Sequence, residues 1–284
     1  MPHRLFPAAP LAALLMLVAL VLAPVLAPAA RAADRANVEA FLEVTGFDAA
    51  LESIAFSAAD APRLLGREPG DFGHDWARVS REVFDVGEMQ ETAIGILGAT
   101  LEDDLLAHAA EFYASPLGRK LVAAENASHL DADDETKLTR GATLLAEARE
   151  EAAGRVAVLE RMNAAVDGAG QSVRAAQEIV VRFMMAASHA GVLPDRLDEQ
   201  ALRALIRGQE DEMRAEMAAA GLANAAYTYR DLTVEELKAY ASALEHPKMQ
   251  LVYELMSAVQ YEIMASRFET LAARMAEMHP GEEL

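Results

Sequence analysis

From residue 36 onward, apolar side chains recur at steps of three and four almost without interruption, the spacing that draws a stripe along an α-helix. One stripe runs through Leu145, Ala148, Ala152, Val156, Leu159, Met162 and Val166; another through Val173, Ala176, Val180, Phe183 and Ala187. Period-two alternation is nearly absent, so the chain reads as all-α, with helical hairpins assembled into a bundle. Composition agrees: 61 of the 284 residues are alanine and 6% are aromatic, which suits thin, closely packed helices better than strands. With 53% of the residues hydrophobic, a sizeable core can form and global disorder is excluded.

Breaks divide these helices. Pro62 to Gly73 is rich in proline and glycine, Asp85 to Gly87 interrupts a helical pattern, Asp167 to Gly170 separates two long helices, and Gly191 to Pro194 forms a further turn. A shift of 131 residues brings Leu101, Asp104, Leu106, Ala110 and Pro116 onto Leu232, Glu235, Leu237, Ala241 and Pro247. Each segment is a helix that begins acidic and ends at a proline, so two similar helical units in tandem are expected. The organisation read from this is a leader over 1–32, a first unit over 33–130, a connecting helix over 131–166, and a second, degenerate unit over 167–284. In the acidic run Asp131, Asp133, Asp134 and Glu135, a calcium loop would need Gly at its sixth position and Glu at its twelfth. Thr136 and Ala142 stand there, so Asp131 is expected instead to cap the helix that follows.

Residues 1–32 carry an export pattern: Arg4, an apolar run from Leu11 to Ala23, and the small-x-small triplet Ala30-Arg31-Ala32. Pro10 and Pro24 limit the uninterrupted helix to about 13 residues, or roughly 20 Å, short of the roughly 30 Å hydrocarbon core. A cleaved signal peptide and a periplasmic or secreted protein are therefore expected, with no later membrane span. Cleavage would remove two arginines and no acid, leaving 23 basic against 45 acidic residues, a net of −22. That field disfavours nucleic acid and anionic headgroups as partners. The absence of cysteine removes thiol catalysis, disulfides and Cys-based metal sites.

The segment from Thr100 to Lys120 predicts a sharp corner between two helices. Leu105, Leu106, Ala109, Phe112 and Tyr113 form an apolar face, Ser115 and Pro116 supply an N-cap and a preset first-turn residue, and Gly118 lets the second helix lie close. The acidic helix ending in Phe112-Tyr113, followed by Ser115, Pro116, Gly118, Arg119 and Lys120, resembles the exported bacterial family known as domain of unknown function 2059, best over residues 100–130. The resemblance implies export and helical structure and brings no established activity. In the second unit Ala243, Leu244, His246 and Met249 replace the Phe, Tyr, Ser and Gly of the first.

No residue is assigned a catalytic, cofactor-binding or metal-ligating role from sequence, and no cofactor is implied. Asp104, His108 and Glu111 share one helix face at a spacing that can present ligands to zinc, but this face lies opposite the apolar one and is expected in water. Ten of the thirteen methionines follow residue 160, which fits either core filling or an adaptable groove for partner helices along Lys248 to Met278. Two functional classes follow: a non-catalytic envelope module that binds another protein or a peptide, and a hydrolase or metal-dependent enzyme built from scattered carboxylates with His108 or His246. Protein recovered from outside the cytoplasm is expected to begin near Ala33 by intact mass; retention of Met1 in a membrane fraction would contradict the leader.

Overall fold

Capping residues set the helix starts that the core then uses. The computed structural model describes residues 33–58, 61–167, 170–193 and 195–278; the leader expected over 1–32 lies outside them. Among the described residues there are thirteen α-helices, two 3-10 turns and no strand, so the all-α reading holds. The helices are α1 (Arg35–Thr45), α2 (Phe47–Ala58), α3 (Trp76–Val83), α4 (Val86–Thr100), α5 (Asp103–Tyr113), α6 (Pro116–His129) and α7 (Asp134–Glu151). They continue as α8 (Ala153–Asp167), α9 (Gln171–His189), α10 (Glu199–Arg207), α11 (Glu210–Thr228), α12 (Val234–Leu244) and α13 (Pro247–Glu277). The 3-10 turns occupy Ala61–Leu65 and Pro69–Phe72, where the proline- and glycine-rich stretch was expected to interrupt helix. Asp85 caps α4 by accepting the Glu88 N–H at 3.0 Å.

Two sharp corners organise the chain. At the first, Ser115 Oγ accepts the Gly118 N–H at 3.0 Å and Pro116 opens α6. At the second, His246 Nδ1 accepts the Lys248 N–H at 3.2 Å and Pro247 opens α13. The bounds of α5, Asp103–Tyr113, move onto those of α12, Val234–Leu244, under the 131-residue shift, and Pro116 moves onto Pro247. The likeness ends there, because α6 has 14 residues and α13 has 31. One hydrophobic core also runs through both halves, from Ala33 to Met275.

α13 is the hub of that core. It packs on α3, α4 and α5 from the first half and on α9 from the second. Phe268 receives Phe84 and Phe183 edge-on, with ring centroids 5.4 and 5.5 Å away, and Arg182 of α9 binds Glu262 and Glu269 of α13 at 2.9 and 2.6 Å. This placement bears out core filling by the methionines and corrects the alternative of a methionine-lined groove for partner helices along 248–278. Met249 and Met275 are buried, while Met256, Met264 and Met278 pack half-buried against the core, so the thioethers of this helix fill space inside the fold.

Two further expectations change. The connecting helix over 131–166 is broken at Ala152, whose φ of −147° ends α7 before α8 begins. α7 lies along α11, whereas α8 turns to pack on α12, and Arg155 pins the break by donating to the Leu232 and Tyr229 carbonyls at 2.7 and 2.5 Å. The cap of α7 is Asp133, which accepts the Thr136 N–H at 2.9 Å. Asp131 instead accepts from the Asp133 N–H and the Tyr227 hydroxyl, both at 3.1 Å.

Backbones approach closely at two glycines. A Cβ on Gly118 would strike the Phe112 and Tyr113 backbone, and a Cβ on Gly141 of α7 would strike Ala223 of α11. Gly118→Ala and Gly141→Ala are each expected to destabilise by about 1–3 kcal/mol in denaturant titrations. Gly95→Ala, at an exposed site on α4 with nothing near its added methyl group, is expected to stabilise by about 0.5–1 kcal/mol. Unchanged stability at both buried glycines would contradict the close approach.

Candidate functional site

The apolar stripe of α6 steps from Gly118 to Leu121 and then places an acid, Glu125, where the periodicity calls for another hydrophobic residue. Four tyrosines from four other helices meet it. Tyr229 at the end of α11 and Tyr240 of α12 both donate to Glu125 Oε1, at 2.7 and 2.9 Å. Tyr253 of α13 lies 2.7 Å from the Tyr240 hydroxyl, and Tyr113 at the first corner lies in short hydrogen-bond contact with Tyr253.

The direction of every bond in this chain follows from proton counting. A phenol has one proton, and Tyr240 donates its own to Glu125 Oε1, so it must accept from Tyr253. Tyr253 then accepts from Tyr113, giving the order Tyr113 to Tyr253 to Tyr240 to Glu125, with Tyr229 donating separately. Phe112 stacks on Tyr240 with centroids 5.9 Å apart and planes 9° from parallel, and Tyr229 meets the same ring edge-on. The aromatic pair of the corner therefore has two roles. Tyr113 is buried and feeds the hydrogen-bond chain, while half-buried Phe112 braces the Tyr240 ring.

Electrostatics match this arrangement. Burial pushes the Glu125 carboxyl above its ordinary range, opposed by the hydrogen bonds from Tyr229 and Tyr240. Burial, reinforced by the nearby carboxylate, pushes the phenols of Tyr229, Tyr240 and Tyr253 upward, so they remain protonated donors. Tyr113 rises as well, through burial first and the neighbouring Tyr253 second. His129, one turn beyond Glu125 on α6, is held below the ordinary imidazole range by burial and by Lys137, so it is neutral at pH 7.

Two cavities flank this network. The larger, about 500 Å³, lies among α6, α8, α11 and α12, with Ser128, Lys137, Asn163 and Asn224 among its lining. The smaller, about 310 Å³, lies among α1, α2, α6 and α13, with Phe41, Phe47, Met256 and Tyr261 in its wall. Glu125, His129, Val166 and Tyr253 line both, so the two spaces adjoin across these side chains. Every fully buried side-chain polar atom among the described residues has a partner, and Glu125 Oε2 has no hydrogen bond from any of these residues, so that oxygen opens on the cavity space. Lys137 is buried but engaged, donating to the Ser128 carbonyl at 3.0 Å and pairing with Asp134 at 2.7 Å.

The residues first weighed for metal or acid-base chemistry lie elsewhere. Asp104 is exposed and paired with Lys248 at 2.9 Å, and Glu111 is exposed. His108 is half-buried, because its ring stacks on His246 with centroids 4.3 Å apart; the second corner thus covers part of a face expected in water. Partial burial, then His246 and Lys248, lower the His108 pKa. Among the described residues no group of three or more His, Asp and Glu side chains is placed to hold a metal ion.

Comparison with known proteins reaches only part of this site. Residues 87–147 match the family described as "Uncharacterized protein conserved in bacteria (DUF2059)". The matched segment runs from α4 through most of α7, so it contains Tyr113, Glu125, His129 and Lys137, while Tyr229, Tyr240 and Tyr253 lie outside it. No curated protein and no solved structure matches the chain. No helix among the described residues is long and apolar enough to cross a membrane.

Glu125 variants separate charge from hydrogen bonding. Glu125→Gln keeps an acceptor for both phenols, whereas Glu125→Leu leaves them without one and is expected to cost about 1–3 kcal/mol. A carboxyl raised in the folded state binds its proton more tightly than in the unfolded chain. The wild type should therefore lose stability relative to Glu125→Gln as pH rises through the raised value, and the difference should level off above it. Denaturant titrations between about pH 4 and 8 check this; a wild type that gains on the Gln variant with rising pH would refute the assignment.

Proposed function

We propose that this chain is an exported, non-catalytic binding protein of the bacterial cell envelope that takes a peptide or a protruding segment of a partner protein at the cleft around Glu125. The observation that carries the reading is a pair of adjoining cavities, within the size range of ligand sites, meeting at a carboxylate whose position is set by two phenols. Such a wall suits holding a ligand. The tyrosine hydroxyls are neutral and already ordered, so they lose little freedom when a guest arrives. The export pattern at Arg4, Leu11 to Ala23 and Ala30-Arg31-Ala32 supports an envelope location, and a family of bacterial proteins fits it. The net charge of −20 argues for protein or peptide over nucleic acid.

Photocrosslinking in cells tests this reading. Phe56 and Val166 are exposed and line the larger cavity, whereas Leu205 and Glu111 are exposed elsewhere. A crosslinking residue at 56 or 166 is expected to give a discrete adduct that is absent at 205 and 111. Gly221→Phe, whose Cβ meets only the Asn163 side chain at 3.5 Å and whose ring narrows the cavity, should abolish the adduct while leaving the melting curve unchanged. Adducts arising only from 205 or 111, or surviving Gly221→Phe, would overturn the proposal.

A further inference from the structure

Among the described residues in the wall of the smaller cavity, Glu125 is the one carboxyl, and the other titratable groups there are His129 and tyrosines. The rest of that wall is rich in aromatic and soft apolar groups: Phe41, Phe47, Tyr253, Tyr261 and Met256. The carboxylate uses Oε1 for Tyr229 and Tyr240, and no cation among the described residues pairs with it. Lys137, which faces Glu125 only from the larger cavity, is held by Asp134 and the Ser128 carbonyl. An unpaired carboxylate at the end of an aromatic-walled space has a specific complement. A compact cation satisfies the open oxygen, and its alkyl stem and charge are both accommodated by aromatic side chains.

We propose that this cavity selects an alkylammonium group, inserted from the α1 and α13 side so that its nitrogen meets Glu125 Oε2. The inference rests on the binding role argued above and narrows it to a ligand chemistry. The same ammonium can come from a lysine side chain on a partner segment or from a free aliphatic amine. A cavity of about 310 Å³ takes a single such chain and leaves no space for a folded partner, so the recognised unit is one protruding group. The acidity of the protein as a whole concentrates cations around it and assists capture. An anionic ligand of the same length is repelled by Glu125, and a neutral alcohol offers its open oxygen only an uncharged hydrogen bond, weaker than that of an ammonium.

Calorimetric titration of the purified chain at pH 7 tests the inference with four probes: 1,5-diaminopentane, an acetylated and amidated lysine tripeptide, pentanoate and 1-pentanol. At least one ammonium probe is expected to bind saturably, and at least tenfold more tightly than pentanoate and pentanol. Binding of the diamine alone identifies a free amine as the source, and binding of the tripeptide alone identifies a peptide. Glu125→Gln should weaken the ammonium probe at least tenfold. Ser257→Phe, which fills the cavity from α13 and leaves Glu125 and its tyrosine partners in place, should do the same. Equal affinity for the three charge types, no ammonium binding up to millimolar concentration, or full binding by both folded variants would overturn the inference. Crosslinks at 56 and 166 with no ammonium binding would retain the binding role and remove this ligand chemistry; ammonium binding without crosslinks would do the reverse.

Discussion

A single carboxylate inside a helical core decides how five helices meet. Without Glu125 the phenols of Tyr229 and Tyr240 would have no acceptor on α6, and the chain of donors that begins at Tyr113 would lose its end. Each proton in that chain points toward Glu125, because the carboxylate is the only group in it that accepts without donating. The hydrogen bonds are directional, unlike the alanine and leucine contacts around them, so they fix rotations that apolar packing alone leaves degenerate. α5, α6, α11, α12 and α13 are tied at one point in this way. Surface ion pairs such as Lys120 with Glu236 and Arg161 with Glu245 join some of the same elements, but they stand largely in water and add little.

The alanine content that marks the chain as helical also accounts for the empty space beside Glu125. Gly221 and Ala225 put no bulk into the larger cavity from α11, and Ala50 and Gly46 put little into the smaller one from the start of α2. Small residues let helices approach where their backbones touch, as at Gly141 against Ala223. Where the helices diverge instead, the same small residues cannot refill the gap. The tyrosines reach into that divergence with long rings and polar tips, and so set hydroxyls near its centre. Cavity and polar network thus share a cause, and neither is a local accident of one loop.

Much of the architecture was legible in the sequence, and the reasons are local. Ser115-Pro116-Gly118 encodes a cap, a preset first turn and a close approach within four residues, and the corner forms as that triplet directs. The break at Ala152 carried no such signal, because Leu145 to Val166 keeps helical spacing straight through it; the interruption comes from tertiary partners, with α7 on α11 and α8 on α12. The methionines of the last helix looked available for a partner because nothing in their spacing shows that α13 is central. The candidate site was hidden for a similar reason. Its members at 113, 125, 229, 240 and 253 are scattered, and the one available hint was an acid on the buried stripe of α6. His108 and His246, weighed for chemistry, do come together, yet they stack at the outer edge of the corners, away from the cavities.

The site also has no counterpart of itself within the chain, although the two corners share their bounds. Moved by 131 residues, Tyr113 falls on Leu244 and Tyr240 falls back on Ala109, while Glu125 falls on Met256. The first corner therefore brings one tyrosine and the second brings two, Tyr240 and Tyr253, each at a position where the other corner has an apolar residue, Leu244, Ala109 or Val122, and only the first brings an acid. Met256 lines the smaller cavity together with its acidic counterpart, so the two equivalent positions border one space with unlike chemistry. A symmetric pair of carboxylates there would repel each other and raise the cost of burial for both. One acid facing one thioether instead leaves a polar end and an apolar side, and a cavity with that asymmetry can orient a guest that is itself charged at one end and aliphatic along its length.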